Sequence, residues 1–155
     1  MCLLCGIEPI FIPIGEPWLL LPISGPKEGK AYIDHGVKLW QTIGSPGFPF
    51  DEERIRRVTA ESYDRCYYPQ GMARQLTAIL AHGNRKPSLA SVTAPTLVIH
   101  GADDPLVPVE GGKDTAEAIR GAELLIIEGR GHDLPRDAWP RIVDAIAKHT
   151  HKVST

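Results

Sequence analysis

Cysteine is scarce. The 155 residues hold three, Cys2, Cys5 and Cys66. An odd number cannot all pair, and one Cys-x-x-Cys without a second ligand pair cannot complete a tetrahedral zinc site. A redox Cys-x-x-Cys has to follow a strand and open a helix, a context the first residues do not offer. The thiols therefore read as reduced and the compartment as cytoplasmic. Long apolar runs are missing as well. Glu8, Pro9, Pro13, Glu16 and Pro17 interrupt the apolar start and no basic region precedes it, so neither a signal peptide nor a membrane span is expected there. Charge of one sign is not in excess either: Lys and Arg number 17 against 19 Asp and Glu, and they are interspersed. That balance argues against nucleic acid or an anionic membrane as the main partner. No sequence feature indicates an organic cofactor or a catalytic metal.

Glycine (15) and proline (14) are plentiful, as in a chain of short elements joined by tight loops, and the length suits one domain. Three stretches differ in pattern. Residues 1–29 form an irregular lead, in which Ile7, Ile10, Ile12 and Ile14 recur with a rough period of two. Pro9 and Pro13 remove ladder donors from it, so at best it is an edge strand. Residues 30–94 carry helical periods. Ile33, Val37 and Trp40 fall at i, i+4, i+7, with Gly44 as a stop. Ser45 to Phe50 is a loop by its glycine and prolines. Asp51 is placed to cap a helix with Ile55 and Val58 inward and outward pairs Glu52–Arg56 and Glu53–Arg57, each worth about 0.2–0.5 kcal/mol. A third helix opens at Pro69 and aligns Met72, Leu76, Ile79 and Leu80. Leu89 and Val92 then lead back towards the core.

Residues 95–155 bear the chemistry. Thr96-Leu97-Val98-Ile99-His100 reads as a buried strand, Gly101 to Pro108 as a tight turn, and Glu110 to Arg120 as a helix. A second apolar run, Leu124-Leu125-Ile126-Ile127, leads at once into Gly129-Arg130-Gly131-His132. In a parallel strand–helix–strand unit both strands end at the same sheet edge, which puts Asp104 beside His132. Asp103 is the rival carboxylate, and a turn aspartate that merely bonds its own backbone is the alternative for Asp104. His100 precedes Gly101 and reads as support for the turn. Trp139, Ile142, Val143 and Ile146 predict a final helix covering the sheet, with a polar tail from His149.

The residues Gly101, Asp104, Val107, Pro108, Gly131 and His132 resemble the C-terminal half of the α/β-hydrolase family. Gly44-Ser45-Pro46-Gly47-Phe48-Pro49-Phe50 and Asp104-Pro105-Leu106-Val107-Pro108 are most similar to esterases of the aclacinomycin methylesterase type. The resemblance implies an α/β class: a partial α/β-hydrolase fold, with a three-helix cap over 30–94 and a β-α-β-α unit holding the last two parallel strands. It implies carboxylic ester hydrolysis, with Asp104 and His132 as acid and base, and a pocket shaped by cap aromatics such as Trp40, Phe48, Phe50, Tyr63, Tyr67 and Tyr68.

One part of that family's triad is missing. No Gly-x-Ser-x-Gly occurs anywhere, and Gly44-Ser45-Pro46-Gly47 has neither the strand before it nor the helix behind it that a nucleophile elbow requires. The expectation is a chain close to inactive alone, able to act on a small-molecule ester only if an amino-terminal half completes it. Two alternatives stand beside this one: a decayed remnant or interaction module, and an aspartate-nucleophile enzyme such as an epoxide hydrolase or dehalogenase. With two strands, a large apolar patch should stay open and favour self-association.

Overall fold

The computed structural model describes residues 29–153, so the reading of residues 1–26 lies outside the described residues. Helix α1 (Gly29–Ile43) and helix α2 (Glu52–Arg65) pack on each other. They bury Val37, Ile43 and Ile55. Gly36 lets them approach, because a Cβ there would lie 2.8 Å from Thr59 Cγ2. Asp51 caps α2, its carboxylate accepting from the Arg54 N–H at 2.9 Å. Glu52 pairs with Arg56 at 2.8 Å, and the same guanidinium reaches across to Asp34 on α1. Among the described residues Glu53 and Arg57 form no ion pair.

Helix α3 (Pro69–His82) begins on its proline and stops at Gly83, whose φ of +67° no helix continues. Ile79 points mainly to solvent, and the side chains of Met72, Leu76 and Leu80 lie outside the described residues. A single turn, α4 (Lys86–Leu89), occupies the return to the sheet where only a connection is expected. The Asn84 side chain accepts from the Lys86 N–H at 2.8 Å and so starts that turn.

The sheet among the described residues has two parallel strands, β1 (Leu97–Gly101) and β2 (Glu123–Ile127), in register from Leu97↔Glu123 to Gly101↔Ile127. Helix α5 (Val109–Ala118) connects them, and Lys86 ties α4 to it through Asp114 at 3.1 Å. Ile119 and Ile127 are buried here, Ile127 at 1% exposure.

The last helix, α6 (Trp139–Val153), follows a 3-10 turn at Arg136–Ala138. It departs from expectation twice. His149 to Lys152 continue the helix instead of forming a tail, because His149 (3.0 Å) and Lys152 (2.8 Å) both bind the Glu123 carboxylate at the start of β2. Its apolar stripe covers the sheet only in part: Ile142 is half-buried, whereas Trp139, Val143 and Ile146 face solvent. No helix among the described residues is long and apolar enough to cross a membrane.

Candidate functional site

β1 ends at Gly101, where no side chain fits: a Cβ would lie 2.3 Å from the Arg130 carbonyl oxygen. The chain turns, and Asp104 organises the turn. Its Oδ1 accepts from the N–H groups of Leu106 (2.9 Å) and Val107 (2.8 Å). His100 supports the same turn from the strand, its Nε2 donating to the Val107 carbonyl at 2.9 Å. One oxygen of Asp104 is thus spent on its own backbone, and the other is aimed elsewhere.

That other oxygen meets the loop after β2. Gly129, at φ +73°, reverses the chain, and His132 follows. His132 Nδ1 lies 2.8 Å from Asp104 Oδ2. Asp104 is 7% exposed at its side chain and His132 21%. An ionised carboxylate can only accept, so Nδ1 is the donor in this bond and the ring is oriented with Nε2 on its far side. Burial pushes the Asp104 carboxyl upward, but the bonds from His132 and from the Val107 and Leu106 amides outweigh it and leave it below the ordinary 3.8. The site therefore holds a carboxylate anion that fixes the orientation of the histidine ring. Asp103 does a different task. Its Oδ2 accepts from the Gly129 N–H at 2.7 Å and its own N–H donates to the Arg130 carbonyl at 3.0 Å.

A cleft of about 750 Å³ opens beside Asp104. Trp40, Phe48 and Phe50 supply its aromatic wall, with Pro46 and Pro108, while Asp103, Asp104 and Ser45 supply polar groups. Tyr67 and Tyr68 are elsewhere. The Tyr67 ring meets Tyr32 edge-on (5.5 Å) and Tyr63 at a tilt (4.9 Å), and Tyr68 lies under Arg74. Tyr32, Tyr63 and Tyr67 close the junction of α1 with the end of α2, an aromatic packing arrangement that helical spacing alone could not distinguish from pocket lining. Among the described residues no group of three or more His, Cys, Asp or Glu converges as a metal site would require.

Two residues beside His132 have no signal in the sequence. Ser45 Oγ donates to Asp133 Oδ1 and accepts from the Gly131 N–H at 2.9 Å. Separated by 86 to 88 positions, these groups meet only through the fold. The Ser45 hydroxyl is engaged with Asp133 and not with His132.

Comparison with known proteins gives a consistent result. The profile of the α/β-hydrolase family described as TAP-like protein matches residues 56–148. Rhodomycin D methylesterase DauP of Streptomyces sp. (strain C5) is 29% identical over 125 residues, which cover 76% of this chain and 40% of that enzyme. The chain thus spans less than half the length of this relative. Among solved structures, the meta-cleavage product hydrolase CumD of Pseudomonas fluorescens IP01 superposes with a TM-score of 0.61 at 17% identity, over 88% of this chain and 50% of CumD. The esterase RhEst1 of Rhodococcus sp. ECU1013 gives 0.57 at 19% identity, over 84% of this chain and 45% of the esterase.

Proposed function

Since this chain belongs to the α/β-hydrolase family, with the TAP-like proteins, and carries part of that fold, we propose that it supplies the acid and base of a carboxylic ester hydrolase. The observation that carries the reading is the 2.8 Å contact between His132 Nδ1 and Asp104 Oδ2, with the second Asp104 oxygen fixed by two amides. In this reading His132 Nε2 takes the proton of a nucleophile and later returns it to the leaving alcohol. Asp104 holds the tautomer and stabilises the imidazolium. Trp40, Phe48 and Phe50 bind the apolar part of the ester, and the relative's activity on rhodomycin D suggests a methyl ester. No Gly-x-Ser-x-Gly occurs in the sequence, so in this reading a completing segment supplies the nucleophile and the oxyanion groups, and the chain alone turns over little or no ester.

The test places this chain in the segment of rhodomycin D methylesterase that it matches and measures methyl ester hydrolysis by the chimera. Turnover is expected. His132→Ala should lower it by about 10⁴ to 10⁶ and Asp104→Asn by roughly 10⁴. A folded chimera that hydrolyses as well with His132→Ala as without it would end this reading.

A further inference from the structure

The loop that carries His132 is held at almost every residue by one loop of the helical layer. Gly47 N–H donates to the Gly129 carbonyl at 2.8 Å, and His132 N–H donates to the Ile43 carbonyl at 2.8 Å. Between them Gly131 N–H donates to the Ser45 hydroxyl at 2.9 Å, and that hydroxyl donates onward to Asp133 Oδ1. Arg130 Nε closes the loop on itself through the Asp133 carbonyl at 3.0 Å. A hydroxyl both accepts and donates, so one small side chain bridges the residue before His132 to the residue after it. These bonds tie the His132 backbone to the helical layer on both sides of the residue whose ring meets Asp104.

We propose that Ser45 is a positioning residue for His132, setting the imidazole against Asp104 by clamping Gly131 and Asp133. It acts through the histidine and donates to no reacting group. The proposal deepens the reading of His132 as a base and rests on it for its functional meaning, but its geometry can be tested without turnover. Losing the hydroxyl removes one bond from Gly131 and one from Asp133, and the loop gains the freedom those bonds deny it.

The experiment is nuclear magnetic resonance on the full chain, following the His132 Nδ1–H proton and the amide exchange of Gly131. A proton shared with a buried carboxylate resonates far downfield and exchanges slowly. With Ser45→Ala, the Gly131 amide should exchange about five- to tenfold faster and the Nδ1–H signal should broaden or vanish. Amides of α5 should keep their wild-type rates, and Ser45→Thr, which retains the hydroxyl, should restore both signals. Asp133→Ala, which removes only the acceptor of Ser45, should give the same change in smaller measure. If Ser45→Ala leaves the Nδ1–H signal and Gly131 exchange unchanged, the proposal is overturned. If Ser45→Ala and Ser45→Thr both lose protection throughout α5, Ser45 serves folding and not positioning, which overturns it equally. A wild-type chain with a protected Gly131 amide but no Nδ1–H signal would instead count against the Asp104–His132 pairing and the proposed function.

Discussion

Gly131 has no room for a side chain. A Cβ would sit 2.1 Å from the Gly44 carbonyl oxygen, which is where the helical layer meets the histidine loop. Neither partner is a flexible side-chain end, so backbone has to move. Gly131→Ala should therefore lower unfolding stability by about 2 kcal/mol or more, read from the urea midpoint, and weaken the Asp104–His132 contact. A variant as stable as wild type would show that the two loops are looser than this packing implies. The approach of Asp104 to His132 was legible at this scale because each follows a strand and a glycine turn, and short continuous apolar runs mark the strands. The choice of Asp104 over Asp103 was legible only as a preference. It is tertiary geometry that gives Asp103 to Gly129 and Asp104 to His132.

The elements held their sequence boundaries where local signals are strong. Asp51 caps α2, Pro69 opens α3, and α1 stops just before Gly44. They strayed where distant charges intervene. The Glu123 carboxylate draws His149 and Lys152 into α6, and is itself pulled below its ordinary value of 4.5, first by Lys152 and then by His149. Between α1 and α2, hydrogen bonds from Lys30 and Arg56 hold the Asp34 carboxyl at about 2, against an ordinary 3.8. A carboxyl lowered by folding favours the folded state fully above its unfolded value, and that contribution fades as pH falls through the folded value. The tether between α1 and α2 should thus weaken as pH drops from about 4 to about 2. Acid titration followed by the exchange of α1 amides checks this, and Asp34→Asn should remove the pH dependence in that window. Identical acid profiles for the two proteins would contradict it.

At the scale of the whole molecule, apolar surface stays open among the described residues. Val143 is 62% exposed, Leu134 53% and Trp139 44%, and β1 and β2 are the only strands paired among the described residues. A two-stranded parallel sheet has both edges unpaired, and contiguous exposed apolar groups bind one another or a partner. We expect the chain to bind an apolar-surface dye under native conditions and to self-associate with rising concentration. Val143→Glu combined with Ile146→Glu should reduce both effects in light scattering and dye titration. A wild-type monomer with a sharp melt and no dye binding would count against this picture.

Hydrophobic period, turn residues and cap chemistry determined the helices, the two strands and the approach of an acid to a histidine, since all of these depend on neighbours within a few residues or on chain order alone. The tertiary structure decided what lies between distant segments. It set Ser45 against Gly131 and Asp133, sent Tyr67 into an aromatic cluster and Tyr68 against Arg74 while Trp40, Phe48 and Phe50 walled the cleft, and left most of the α6 stripe in water. A hydroxyl, an aromatic ring and an aliphatic side chain are compatible with several surroundings. Only the packing of remote backbone selects among them.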